Sequence, residues 1–341
     1  MPTPVVNITI PVFNRLLLTQ RTLLALRKVS REIPFCVTVV DNGSAPELRE
    51  RLVEFHKLGI IDHLFLLPRN MGISCACNIG WQAVDAPYYM KLDNDVVVQR
   101  PDFLAHLFRL WAHGTPLSIL GPAMLPERLH KNPGAIETPD GVLGICTENV
   151  QGTAVLIPRA VSDALGYWNE DYGLYGADDG DYGLRMNCAG FTQYYYDDRG
   201  LFVHEGEWGN EEYAGTGLDK GAEHRNLFND KEGGVGLFVL NSYLYDMCIR
   251  NWNVPRRWRI KYISGYDVTL EEDPAYAPVR EALRRSKRIF DGKVNAGKKM
   301  EVFNAEVIAK MKRIWEDCGQ GCCCAAKTPG ASAVDSEAEG M

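Results

Sequence analysis

The feature that most constrains the fold is a regular alternation of apolar runs and helix-length segments over the first 125 residues. Short apolar runs rich in β-branched residues occupy residues 5–12, 35–40, 63–67, 88–92 and 118–125. Between them lie segments of helical length and pattern, at residues 15–28, 45–58, 73–84 and 102–113. Alternation of this kind predicts an α/β fold in which a mostly parallel sheet is flanked by helices.

Composition narrows the class of protein further. Apolar residues make up 46% of the 341 residues, so the chain can bury a large core without disulfides. The net charge of −7 argues against a general nucleic-acid binder. No apolar run reaches the ~18 residues of a spanning helix, and no signal peptide is recognisable at the N-terminus. The ten cysteines show no paired C-x-x-C sets, so a cytoplasmic protein is expected.

The pattern also predicts how the chain is divided. Residues 1–226 form the expected α/β domain, and residues 227–317 form a mainly helical C-terminal extension. Residues 250–313 contain 16 Lys and Arg but only 8 Asp and Glu, so this extension is locally basic. Residues 318–341 are small and polar and are expected to be disordered.

Polar residues follow three of the predicted strands. In such sheets ligands bind outside the carboxyl ends of the strands, which here carry Asn14, Asp41 and the pair Asp93 and Asp95. The first strand is not followed by G-x-G-x-x-G, and the chain has no G-x-x-x-x-G-K-[ST] motif. A dehydrogenase-type dinucleotide fold and P-loop chemistry are therefore not expected.

The triplet Asp93-Asn94-Asp95 follows a buried strand directly. Two carboxylates one residue apart at a ligand-binding edge suit a hard divalent cation, which prefers oxygen ligands. Asp-x-Asp is also frequent in turns, where the side chains satisfy local backbone groups. The triplet alone leaves both interpretations open.

A second acidic cluster, Asp178-Asp179-x-Asp181, begins a predicted helix. Acidic residues there favour the helix dipole, which accounts for one or two of the three carboxylates. A carboxylate close to other carboxylates has a raised pKa, which suits a general base.

Between the third and fourth strands, Asn70, Gly72 and Asn78 mark a turn into a helix. The N-terminus of this helix could face an anion, or the segment is a simple capped turn.

Together these segments resemble the family 2 inverting glycosyltransferases of the GT-A fold. The resemblance covers about residues 5–205 and depends on the order of seven short motifs rather than on any one of them. In chain order these are Ile10-Pro11-Val12-Phe13-Asn14-Arg15, Val40-Asp41-Asn42-Gly43-Ser44, Asn70-x-Gly72-x-Ser74-x-x-x-Asn78, Leu92-Asp93-Asn94-Asp95, Gly152-Thr153-Ala154-x-x-Ile157-Pro158-Arg159, Asp178-Asp179-x-Asp181-Tyr182-x-x-Arg185 and Val203-His204.

The resemblance implies a role for each matching position. Asp41 would bind the edge of the base, and Asp93 would contact the ribose or the metal. Asp95 would hold Mn²⁺ or Mg²⁺ against the donor diphosphate, and His204 would complete the metal site, although a lone histidine is more often structural. The other expected nucleotide-sugar-binding residues are Pro11, Val12, Asn14, Asn70, Gly72, Asn78 and Asn94.

The resemblance also implies the chemistry. Asp179 matches the catalytic base of the family, with Asp178 as the alternative, because most relatives have Glu-Asp where this chain has two aspartates. The base would take a proton from an acceptor hydroxyl, which attacks the anomeric carbon opposite the leaving nucleoside diphosphate and inverts its configuration. A cation at Asp95 would stabilise the charge of the leaving group.

Partners follow from the same resemblance. The expected donor is a nucleotide-diphosphate sugar, with a UDP-sugar favoured, and the expected acceptor is a glycan or a lipid-linked intermediate of cell-surface polysaccharide synthesis. The basic C-terminal helices predict either peripheral contact with the inner face of a membrane or a solvated helical face. Trp168, shortly before the acidic cluster, is either a platform for an acceptor sugar or a core residue.

Two other classes of protein compete with this interpretation. A sugar nucleotidylyltransferase of related fold would have a Gly-rich basic loop after its first strand, where this chain has Pro11-Val12-Phe13-Asn14-Arg15. A non-catalytic sugar-nucleotide-binding module would not need Asp95, Asp179 and His204 together.

Overall fold

The computed structural model describes residues 5–123, 126–132, 134–149, 151–206, 213–230, 234–294 and 305–322. The predicted alternation of strands and helices is confirmed, with element ends within a few residues of the predicted ones. The N-terminal elements are β1 (Val6–Val12), α1 (Leu16–Leu26), β2 (Phe35–Asp41), α2 (Pro46–Lys57), β3 (His63–Leu66), α3 (Ile73–Ala83), β4 (Tyr88–Leu92), β5 (Val96–Val98), α4 (Phe103–Trp111) and β6 (Ser118–Pro122).

The middle of the chain completes the sheet. Its elements are β7 (Ile136–Thr138), β8 (Gly141–Cys146), β9 (Ala154–Pro158), α5 (Arg159–Leu165), α6 (Asp178–Ala189), β10 (Thr192–Tyr196) and β11 (Phe202–His204). The C-terminal part contains α7 (Lys220–Phe228), α8 (Leu237–Asp246), β12 (Trp258–Ser264), β13 (Asp267–Glu272), α9 (Tyr276–Val294) and α10 (Ala305–Asp317).

Within the described ranges, eleven strands form one sheet in the order β12-β13-β3-β2-β1-β4-β9-β6-β10-β8-β7. Strand β1 pairs in parallel with β2 and β4, and β2 pairs in parallel with β3. Strand β9 is antiparallel to both of its neighbours, β4 and β6, and β10 runs parallel to β6. The predicted mostly parallel sheet is therefore confirmed, and β9 is a reversed strand at its centre.

The central strands are buried on both faces because helices cover both sides of the sheet. Every residue of β1 and β2 is buried, and Ile8, Ile10, Val37 and Val39 belong to the main hydrophobic core. A buried parallel sheet aligns the carboxyl ends of β1, β2 and β4 at one edge. This edge carries the polar residues that the sequence singled out.

The C-terminal region is mainly helical, as predicted, but it also contains an unpredicted β-hairpin. Strands β12 and β13 pair with each other, and β13 joins the sheet beside β3 through the pair Asp267 and Leu66. Helices α8, α9 and α10 share a separate apolar cluster that includes Leu244, Phe290 and Trp315. The predicted division at residues 226 and 317 stays a prediction, and most of the expected disordered tail lies outside the described residues.

Buried ion pairs connect the C-terminal region to the rest of the chain. Arg250 Nη1 lies 3.0 Å from Asp171 Oδ2 and donates a hydrogen bond of 2.6 Å to Asn241 Oδ1. Nearby, Arg185 Nε lies 2.6 Å from Asp181 Oδ2 within α6. The first pair joins the C-terminal region to the segment before α6, and the second lies within the helix that carries the second acidic cluster. Among the described helices, none combines the length and the apolar character that a membrane crossing requires.

Candidate active site

An open cavity lies at the carboxyl edge of the sheet, beyond the ends of β1 and β4. It gathers seven of the residues that the sequence singled out from positions far apart in the chain. Those seven residues are Pro11, Val12, Asn70, Asp93, Asn94, Asp95 and His204.

Asp93, Asp95 and His204 converge in this cavity. One ligand atom from each lies within 4.8 Å of the others. The histidine reaches the aspartates because β11 pairs with β5, the short strand that follows the acidic triplet, in a register that sets His204 opposite Val96. The backbone N–H of Glu205 donates to the carbonyl of Asp95 and closes this junction. Strand pairing therefore explains how a histidine 109 positions after Asp95 comes to lie beside it.

The carboxylate of Asp95 lies between two basic side chains. Arg15 Nη1 lies 2.6 Å from its Oδ2, and His204 Nε2 lies 3.1 Å from its Oδ1. Burial alone would raise the pKa of Asp95, but contact with His204 and Arg15 outweighs burial and lowers it. The same contact with Asp95 raises the pKa of His204. The cluster thus holds an ionised carboxylate beside an imidazole.

The loop after β1 has an unusual backbone. Asn14 and Arg15 are successive non-glycine residues in the left-handed region, at φ 57° and 63°. Such conformations cost of order 1–3 kcal/mol each and persist where surrounding contacts impose them. Here the backbone N–H of Asn14 donates to Ser44 Oγ, and its side-chain Oδ1 accepts from the N–H of Ala45. Asn14 therefore ties this loop to the one after β2, and it does not line the cavity.

Lys91, which no sequence motif indicated, lies beneath the acidic triplet. Its Nζ donates hydrogen bonds to Asp93 Oδ1 at 2.8 Å and to the carbonyl of Gly152 at 2.7 Å. It also lies 3.8 Å from Asp178 Oδ2. Burial alone would lower the pKa of Lys91, but Asp93 and Asp178 outweigh burial and raise it, so the side chain is a buried cation.

The second acidic cluster begins α6 on the far side of Lys91. Asp179 accepts hydrogen bonds from the N–H groups of Gly152 and Gly180. Burial and the neighbouring charge of Asp178 raise the pKa of Asp179. Burial also raises the pKa of Asp178, against the effect of Lys91. Both carboxyls lie beside the cavity rather than among the residues that line it, and a raised pKa favours proton uptake by Asp179.

Asp41 and Gly72 support the cavity without lining it. Asp41 is fully buried, and both of its carboxylate oxygens accept from the N–H of Ser44. Gly72 has φ 94°, and a Cβ there would lie 2.1 Å from the carbonyl oxygen of Gly173. Both residues stabilise the turns in which they lie, and neither of them lines the cavity.

Two predicted ligand-binding residues lie in the core instead. Asn78 is fully buried, donates to the carbonyl of Trp168 and to Glu170 Oε1, and accepts from the N–H of Trp168. Trp168 is 2% exposed and packs against Trp81 and Tyr182. The acceptor-platform prediction for Trp168 is therefore wrong and the core alternative holds, because the ring is buried and packs against two other aromatic side chains.

Sequence reasoning missed several side chains that line the cavity. Tyr213 stacks on Phe13 with a centroid distance of 6.1 Å, and Lys220 Nζ lies 4.4 Å from the centre of the Tyr213 ring. Arg15 also lines the cavity, and its place directly after Asn14 in a quoted motif was a usable signal. No sequence pattern distinguished Tyr213 or Lys220 from the surrounding polar segment.

The N-terminal part of the chain, which carries this edge of the sheet, matches a known protein family. Residues 7–125 match the sequence model of glycosyl transferase family 2, a span that runs from β1 through the acidic triplet to the end of β6. Among solved structures, a mannosyltransferase from Pyrobaculum calidifontis in complex with GDP-Man and Mn²⁺ aligns with 93% of this chain and 86% of its own, at 14% identity and a TM-score of 0.48. No curated protein matches the chain.

Proposed function

We propose that this chain, whose residues 7–125 match the sequence model of glycosyl transferase family 2, transfers a sugar from a nucleotide-diphosphate sugar to an acceptor hydroxyl with inversion. The observation that carries the proposal is the convergence of Asp93, Asp95 and His204 in the cavity at the carboxyl edge of the sheet. Asp178 and Asp179 lie close by on the far side of Lys91. One cavity therefore has a cation site and a candidate base beside it.

The three converging side chains fit a divalent cation. Two carboxylates and one imidazole supply oxygen and nitrogen ligands, and the low pKa of Asp95 keeps one carboxylate ionised. We propose that Asp93, Asp95 and His204 hold Mn²⁺ or Mg²⁺. When bound, such an ion supplies positive charge that stabilises the departing nucleoside diphosphate.

The rest of the chemistry belongs to residues of the chain. Asp179 takes the proton of the acceptor hydroxyl while that oxygen attacks the anomeric carbon. The bond between that carbon and the diphosphate oxygen breaks on the opposite face, so the configuration inverts. A buried carboxylate beside a second carboxylate is a stronger proton acceptor than an exposed one, which fits the raised pKa of Asp179.

The nucleotide part of the donor is proposed to lie along the loops after β1 and β3. Pro11, Val12 and Asn70 line this side of the cavity. Asn70 Oδ1 accepts from Asn42 and from the N–H of Gly72, so its position is fixed before a ligand arrives. We propose a UDP-sugar as the donor, and this preference depends only on the resemblance to the family.

The acceptor is proposed to be a glycan or a lipid-linked intermediate of cell-surface polysaccharide synthesis, with the enzyme in the cytoplasm.

Ion pairs within the basic C-terminal helices favour the interpretation that these helices present a solvated face rather than a membrane-binding surface. Arg280 pairs with Glu272, and Lys287 pairs with Asp230 and Asp291. Cations that are neutralised by neighbouring acids attract an anionic membrane weakly.

Calorimetric titration with a panel of nucleoside diphosphates and nucleotide sugars, each with and without Mn²⁺, tests the proposal. We expect one nucleotide to bind in a metal-dependent manner and the Asp95→Asn variant to lose the metal dependence. A folded protein that binds no member of the panel would contradict the proposal. Binding without transfer or hydrolysis of any donor would favour a non-catalytic module.

A further inference from the structure

Lys91 is the one charged residue of β4, a strand that is otherwise apolar or aromatic. Its side chain is 3% exposed. A buried ammonium costs several kcal/mol unless partners compensate for the lost water. Its presence in the centre of the sheet therefore depends on the groups that surround it.

Those groups come from both sides of the site. An ammonium has three N–H donors. Two of them are used by Asp93 Oδ1 at 2.8 Å and by the carbonyl oxygen of Gly152 at 2.7 Å. Asp178 Oδ2 lies at 3.8 Å, at the start of the base-bearing helix. One cation thus contacts both Asp93, in the cavity, and Asp178, in the acidic pair at the start of α6.

Gly152 extends this connection to Asp179. Its carbonyl accepts from Lys91, and its N–H donates to Asp179 Oδ2 at 3.3 Å. A Cβ at this position would lie 3.1 Å from Lys91 Nζ and 3.3 Å from Asp179 Cβ, both tight contacts. The absence of a side chain at Gly152 permits this close approach of the cation to the base.

We propose that Lys91 is a positioning residue that holds Asp179 in place relative to the donor cavity. The inference rests on the proposed function and deepens it. Lys91 is not among the residues that line the cavity, so it acts through its neighbours rather than on the substrate. Because Lys91 attracts the Asp178 carboxylate, Asp178 is the anchor of the pair and Asp179 is the base.

The first test replaces the cation while keeping the length of the side chain. Misplacement of a reacting group by about 1 Å costs roughly 10²-fold in rate, so Lys91→Met is expected to lower kcat by ~10–100-fold. Nucleotide affinity should change by no more than about threefold. Lys287→Met is the matched control, because Lys287 also contacts two carboxylates, of Asp230 and Asp291, and one carbonyl, of Val235. That control should retain the kcat of the wild type.

A double-mutant cycle separates positioning from a general structural effect. If Lys91 acts through Asp179, adding Lys91→Met to Asp179→Asn causes no further loss of kcat. A further loss equal to that of Lys91→Met alone would overturn the proposal. A wild-type kcat in Lys91→Met would overturn it as well.

A third measurement does not depend on activity. Amide hydrogen exchange is expected to accelerate in residues 151–153 and in the first turn of α6 in Lys91→Met, and to stay unchanged there in Lys287→Met. Gly152→Ala keeps every charge and should give the same acceleration if Lys91→Met does not fold. Unchanged exchange in both segments would overturn the inference. An inactive wild-type enzyme would instead contradict the proposed function, and the exchange result would still decide the role of Lys91.

Discussion

Arg15 and Asp95 form a buried ion pair, with Nη1 and Oδ2 2.6 Å apart and both side chains 5% exposed. Asp95 is also the carboxylate proposed to hold a divalent cation. The guanidinium therefore supplies positive charge at the proposed cation site. Binding of an ion at Asp95 requires this pair to separate or to share the carboxylate.

Removing this competing charge should tighten cation binding. We expect Arg15→Gln to bind Mn²⁺ several-fold more tightly than the wild type in the absence of nucleotide, because one positive charge no longer repels the ion. Calorimetric titration with Mn²⁺ alone measures the effect. Arg109→Gln, which removes an exposed pair with Asp140, is the control and should bind as the wild type does. Weaker binding in Arg15→Gln would show that Arg15 supports the site rather than competes for it.

Loss of the proposed base should affect turnover rather than binding. General-base assistance contributes typically ~10²–10⁴-fold, so Asp179→Asn should lower kcat by that factor and leave nucleotide affinity nearly unchanged. Steady-state kinetics and calorimetry on the same sample separate the two quantities. Asp163→Asn, at an exposed carboxylate, serves as the control. An equal fall in affinity and kcat for Asp179→Asn would argue that the residue binds the donor instead.

Trp168 should contribute to stability. Its ring is 2% exposed, and its centroid lies 4.7 Å from that of Tyr182. Truncation of a buried Trp typically costs about 3–5 kcal/mol, so Trp168→Ala should lower the free energy of unfolding by that amount in urea titrations. Tyr262→Ala, at an exposed side chain, should cost much less. Full stability of Trp168→Ala together with weaker acceptor binding would restore the platform interpretation.

Glu170 predicts a pH dependence of stability. Burial raises its pKa from the usual 4.5 to about 7, despite hydrogen bonds from Asn78 and from the N–H groups of Arg257 and Trp258. The folded state therefore binds a proton more tightly than the unfolded state does. Stability should fall as the pH rises from about 4.5 through about 7, with a full contribution of roughly 3 kcal/mol.

Thermal unfolding between pH 5 and pH 8 tests this dependence in the wild type and in Glu170→Gln, which cannot titrate. The stability of the wild type should fall relative to the variant as the pH rises. Glu281→Gln, at an exposed carboxylate, should follow the wild type. A constant difference between the wild type and Glu170→Gln across this range would refute the assignment.

Local patterns were sufficient to predict the parallel strands of the N-terminal part and the helices between them. Strands β1 and β4 are short apolar runs followed by polar residues, and both the strands and the cavity at their ends lie where these patterns predicted them. The hairpin of β12 and β13 escaped prediction because β12 is an edge strand with its basic residues, Arg259 and Lys261, on an exposed surface. Such a segment resembles a basic helix in composition.

The sequence predicted only some of the residues that line the cavity. Polar residues in a turn either line the cavity, as Asn70 does, or hold the turn together, as Asp41 does, and their spacing in the chain does not distinguish the two. His204 was found through the family resemblance, whereas its place beside Asp95 depends on the pairing of β11 with β5. Lys91 offered a signal that was not used, since a lone charge in a buried strand requires partners.

The configuration of the sugar released from the donor distinguishes inversion from retention at the anomeric carbon. The protein is incubated with Mn²⁺ and the nucleotide sugar that it binds, and proton NMR identifies the first anomer that appears in the transferred or hydrolysed sugar. We expect a metal-dependent product of inverted configuration, with release strongly reduced in Asp179→Asn. A product that keeps the configuration of the donor, or undiminished release in Asp179→Asn, would contradict this expectation.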